Sequence, residues 1–279
     1  KVSMQLSDLG WIAVGAGVTG LGFYYLQNTK DKSEPAGAPF VTSPPHPGWK
    51  PGDKMPIPYA GKHKVLHPAD LKSAYFLMIS AYVPRPIALV SSCSAAGIAN
   101  VAPYSYSGCV AHDPPTLVVS CCRRPDGSQK DTCTNALETK EFVVNVMSDW
   151  AVEAQNFTCA NFAPNEDEFK EAGLTPLPSL KVKPMRVGES AVNFECKLVK
   201  THDIVNAAGK VTATVLFGEV VAIHVHEAVL VEDGAGEGKP TVDVNRLRPL
   251  GRLGGNTYCR VGGSFDLARP DRAAASTAR

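Results

Sequence analysis

The chain has 279 residues, 44% hydrophobic and 20% charged, enough apolar material for one large domain or two small ones. Its formal net charge is +1 and its basic residues are scattered, which excludes a general electrostatic pull toward nucleic acid. Eight cysteines form no CxxC pair, which argues against zinc or thioredoxin-type chemistry and for buried or incidental thiols in a reducing compartment.

In chain order, residues 9–26 (LGWIAVGAGVTGLGFYYL) carry no charge. As a helix this stretch would span about 27 Å, close to the ~30 Å core of a bilayer. Trp11 stands near one end and Tyr24 and Tyr25 at the other, where aromatic belts sit. Ala13 and Gly17, like Ala16 and Gly20, are four apart, which suits close helix packing. Residues 1–28 are therefore expected to be a single-pass transmembrane anchor touching lipid through 9–26. Two alternatives stand beside it, a buried apolar helix and a retained targeting signal. A third reading takes 15–20 as GxGxxG, but that motif needs a flanking strand and a later acidic residue, and a proline-rich stretch follows instead. Residues 29–63 have the composition of an extended linker, with Trp49 expected to dock.

From residue 64 the pattern becomes globular. Short β-type runs fall at 88–92, 116–120, 141–147, 191–199, 213–224 and 229–231, with turn residues between them. Helical material is expected at 130–139, 149–158 and 166–172, with Asp149 as a natural N-cap. This is the pattern of a β-barrel or sandwich with accessory helices. Residues 271–279 read as a polar tail.

Two stretches could hold a ligand. Ser91, Ser92, Asn100, Ala102, Pro103, Tyr104 and Ser105 offer hydroxyls and backbone amides near a proline-stiffened turn, suited to the edge of a planar ring. Arg123, Lys130, Asp131 and Thr132 lie where a loop runs into a helix, suited to a phosphate. Taken alone, each also reads as an ordinary polar turn. His224 and His226 share one strand face, but nothing supplies a third ligand at enforced spacing, so no metal site is assigned. The run from Arg252 to Tyr258 is either a turn before a last strand or a segment that closes over a ligand. No GxSxG motif occurs.

Several strings, taken in order, resemble the flavin reductase-like family, the FMN-binding split-barrel group that includes flavoredoxin. They are YVPRPI at 82–87, NVAPYS at 100–105, DPP at 113–115, KDT at 130–132 with Asn135, EFVVN at 141–145, DEF at 167–169 with AGLT at 172–175, FGEV at 217–220, RLRPL at 246–250 and RLGG at 252–255 with Tyr258. The likeness covers residues 64–270. It implies a six-stranded Greek-key FMN-binding split β-barrel that forms a homodimer. Asn100, Ala102, Pro103, Tyr104, Ser105, Ser91 and Ser92 would meet the isoalloxazine and ribityl. Arg123, Lys130 and Thr132 would meet the phosphate, and Arg85 and Tyr258 would act as outer or partner-subunit contacts. NAD(P)H would deliver hydride to the flavin, so no side chain is assigned a catalytic role. The anchor departs from the family pattern. It raises the alternative of an accessory subunit in an organellar, respiratory-type membrane complex. With a chain that starts at Lys1, it gives an expected location in the mitochondrial inner membrane.

Overall fold

A computed structural model describes residues 43–270 apart from Ala60 and Glu237. The apolar stretch 9–26, the 15–20 motif and the tail 271–279 lie outside the described residues. Among the described residues no helix is long and apolar enough to cross a membrane. The described part of the proline-rich segment is almost wholly exposed. Trp49 is 48% exposed, and its indole N–H donates to the Asp53 carbonyl at 2.9 Å, so it closes a local turn rather than docking on the domain.

The domain is mainly β. Seven strands form its main sheet: β1 (Ala88–Cys93), β2 (Ala99–Tyr104), β3 (Ser107–His112), β4 (Pro115–Cys122), β5 (Glu141–Val146), β6 (Val192–Val205) and β7 (Val211–Val225). Their order is β2-β1-β5-β6-β7-β4-β3, antiparallel throughout. The two edge strands are consecutive in the chain, with Ser105 and Tyr106 between them. The sheet must therefore curl until its edges meet at that corner, and away from it the edges part. This is a split barrel.

Seven strands replace the six expected. Of the residues 100–105, read as a loop, 100–104 belong to edge strand β2 and Ser105 lies at the corner, and β3 is the other edge. Edge strands have one flank free of ladder partners, so they tolerate polar residues and proline. The Val101 N–H points away from β1 to Glu168, and Pro103, two residues on, lacks an N–H at that same outer edge.

Strand β1 is buried on both faces. Ala88 and Val90 face the barrel interior with Leu117, Val119, Phe142 and Leu216. Helix α2 (Asp131–Thr139) closes this interior with Cys133 and Ala136. Leu89 faces a second cluster with Val101, Met147, Phe169, Leu174 and Val187. Helix α1 (Tyr75–Ala81) precedes the barrel, and α3 (Val152–Phe157) and α4 (Glu168–Ala172) lie beside β2. The Asp167 carboxylate accepts from the Phe169 N–H at 3.0 Å, and Gly173 ends α4 at φ +66°, a conformation that costs glycine little. Asp149 opens a short 3-10 turn instead of capping α3, because its carboxylate is taken by Arg248 and Arg260 at 2.8 and 2.7 Å. Among the described residues no cysteine is in a disulfide.

Where β7 crosses between β4 and β6, Gly218 leaves no room for a side chain. A Cβ there would clash with Phe142 Cζ and lie 2.9 Å from Cys196 Cβ. The Gly218→Ala variant is expected to lose about 1–3 kcal/mol of stability through overpacking, read as a lower urea midpoint with an unchanged slope.

Candidate functional site

The site is built around one buried amide. Asn100 on β2 accepts at Oδ1 from the hydroxyls of Ser92 (3.1 Å) and Thr132 (2.8 Å), and its Nδ2 donates to Glu168 Oε1 at 2.6 Å. The second Glu168 oxygen accepts from the Val101 N–H at 3.3 Å. Strand β1, the start of α2 and the start of α4 are thus joined at one residue. Burial outweighs the donors around Glu168 and pushes its carboxyl up to about 7.

Outside this network lies a groove lined by Ala102, Pro103, Tyr104, Arg124, Lys130, Asp131 and Thr132 and walled by Thr158, Asn161 and Phe162. Helix α2 begins in it. Lys130 has no side-chain cap, and its carbonyl takes the N–H groups of Cys133 and Thr134. Among the described residues the N–H groups of Asp131 and Thr132 have no acceptor. Two free amides at a helix start, with Lys130 and Arg124 beside them, form an anion cradle. The Asp131 carboxylate opposes an anion, but Arg124 holds it at 2.7 Å and offsets its charge. Arg124 is aimed inward by a tight turn through Gly127, which takes φ +88°.

A second groove continues past Pro103, Tyr104 and Lys130, which line both. Its other walls include Tyr75, Arg85, Ser105, Tyr106 and Arg252. Lys130 Nζ lies 5.3 Å from the centre of the Tyr104 ring. The Tyr104 hydroxyl is buried without a partner, and burial holds its pKa well above the usual phenol range.

Of the residues expected at a ligand, Asn100, Ala102, Pro103, Tyr104, Ser105, Lys130, Asp131, Thr132 and Arg85 line these two grooves. Four do not. Ser91 and Ser92 are fully buried, with hydroxyls spent on the Met185 carbonyl and on Asn100. Arg123 continues the β4 pairing and donates to Thr214 Oγ1 at 3.0 Å. Tyr258 lies under the Arg252 guanidinium at 4.4 Å and donates to Asn156 Oδ1. Arg85 reaches the groove but is anchored, donating to the carbonyls of Ile79, Tyr82 and Leu253. The Thr132 hydroxyl is already donated, so at this residue the free donor is the backbone amide.

Arg124, Glu168 and the wall at 158–162 were not singled out from sequence. Arg124 sits one residue beyond the arginine chosen, and Glu168 lies inside a quoted family string. His224 is held by Glu195 at 2.5 Å, His226 accepts from the Ala228 N–H, and no metal-binding group occurs among the described residues.

The flavin reductase like domain model matches residues 80–246. An uncharacterized protein of Halalkalibacterium halodurans is 40% identical over 207 residues, 74% of this chain and 96% of that one. Solved structures are similar as well, among them the following two. Nitrilotriacetate monooxygenase component B from Bacillus cereus has a TM-score of 0.69 at 34% identity, over 75% of this chain and 100% of that one. The 2-nitrobenzoate 2-nitroreductase NbaA of Pseudomonas fluorescens has a TM-score of 0.65 at 30% identity, over 75% and 98%.

Glu168 supplies a pH test. Its folded pKa, about 7, lies above the ordinary 4.5, so between these values the folded state holds more protons than the unfolded one. Folding stability from this group is full below about 4.5, falls as pH rises and levels above about 7. Melting temperature across pH 4–8 should show this fall relative to Glu168→Gln, in which the fall is absent.

Proposed function

The chain belongs to the flavin reductase-like family, and from that premise we propose that it binds FMN and accepts hydride from a reduced nicotinamide. The observation that carries the FMN reading is the open start of α2. The free amides of Asp131 and Thr132, with Lys130 and Arg124, suit a phosphate, and riboflavin alone would leave them unused. The outer edge of β2 supports a planar ring. Ala102, Pro103 and Tyr104 give it a flat backbone wall, and Ser105 adds a hydroxyl at the corner.

A bound flavin would supply the hydride chemistry, taking two electrons and passing them to an acceptor. The chain's own part is positional. Asn100 locks β2 against α2, which fixes the distance between the ring wall and the phosphate cradle. Lys130 stands between the two grooves and stabilises negative charge in either one. Pro103 and Tyr104 line both, which would place a second planar molecule beside the first at near-attack distance. Two of the similar structures are named as a monooxygenase component and a nitroreductase, which supports a redox role.

A homodimer, an anchor through residues 9–26 and a place in a membrane complex belong to the same proposal as outer context. They rest on the family likeness and on the N-terminal sequence.

Lys130→Met is the sharpest variant. Losing a charge-assisted contact should weaken FMN about tenfold while leaving riboflavin, which has no phosphate, within about twofold. Flavin fluorescence quenching in paired titrations reads both constants. Equal loss for the two flavins would remove the phosphate from this cradle.

A further inference from the structure

The second groove has a charge pattern of which the flavin cradle uses Lys130 alone. Arg85, Lys130 and Arg252 line it, and among the described residues no aspartate or glutamate does. None of the three is in an ion pair among the described residues. Arg85 and Arg252 are direct partners on adjacent short strands, Arg85–Pro86 and Leu250–Arg252, an arrangement in which like charges repel.

The two arginines differ in what they have left to offer. Arg85 is buried, and three backbone carbonyls and the Ser105 hydroxyl take its N–H groups. It is a fixed positive background. Arg252 is half-buried, and its only side-chain partner among the described residues is the face of Tyr258 at 4.4 Å. That ring holds the guanidinium plane in place while its donors stay unspent. Tyr75 and Tyr106 supply further aromatic wall.

We propose that this groove binds a small planar anion, such as an aromatic carboxylate, with Arg252 as the anchoring charge. Its role as a redox partner's seat rests on the flavin reading, whereas its existence as an anion site does not. An oriented guanidinium with free donors matches a carboxylate in two-point geometry. Arg85 and Lys130 raise the local potential, and the shared Pro103–Tyr104 wall sets the anion against a ring lying on β2.

The test uses the full chain with FMN added and calorimetric titration with benzoate and with benzamide, its neutral isostere. Benzoate is expected to bind about tenfold tighter than benzamide to the native chain. Arg252→Met should erase that preference, Arg252→Lys should keep part of it, and salt should weaken benzoate without touching benzamide. Equal affinity for the two probes in the native chain would overturn the proposal, as would an unchanged preference in Arg252→Met. FMN uptake is read on the same samples. Failed FMN uptake with an Arg252-dependent benzoate preference would sink the flavin reading and leave the groove standing. Normal FMN uptake with no benzoate preference would sink the groove alone.

Discussion

The site depends on one buried side chain, the amide of Asn100. Its three hydrogen bonds run to β1, to the first turn of α2 and to the first turn of α4. Each partner is itself buried, so breaking the node would strand several polar groups at about 1–3 kcal/mol each. Asn135 extends the network by donating to Ser92, and Ser91 ties the opposite face of β1 to Met185 and Asn145. These bonds hold an edge strand and a helix start in register, and the first groove is the space left between them.

That arrangement explains why the grooves lie where they do. β2 is an edge strand, so its outer flank is free of ladder partners, and the curl of the sheet brings it beside the corner at Ser105 and Tyr106. α2 packs Cys133 and Ala136 into the barrel, which leaves its first amides facing out. The same packing that closes the core therefore opens an anion cradle. Arg124 and Asp131 neutralise each other, so Lys130, which has no ion pair among the described residues, is the uncompensated cation next to the free amides.

Much of the fold was legible in the sequence, because the inner strands are apolar and the helices follow polar starts. The runs at 88–92, 116–120 and 141–147 match β1, β4 and β5 closely, and 130–139 matches α2 to within one residue. Strands β2 and β3 were not legible, since an edge strand needs little apolar content and can hold Pro103. The two arginines at the end of β4 show a finer limit. Arg123 still follows the strand's pairing and turns to Thr214, so the next residue, Arg124, reaches the groove. Ser91 and Ser92 look like ligand donors in sequence, but a strand buried on both faces spends its hydroxyls internally. The family strings fall on stretches that line the two grooves, and which side chains face the grooves depends on the register.

The proposed flavin site turns on a phosphate at the start of α2. Amide chemical shifts of the isotope-labelled full chain during titration with FMN test it most directly. With FMN the Asp131 and Thr132 amides are expected to shift furthest among the backbone groups of α2, and riboflavin is expected to leave them nearly unmoved. FMN binding with both amides unperturbed would contradict it.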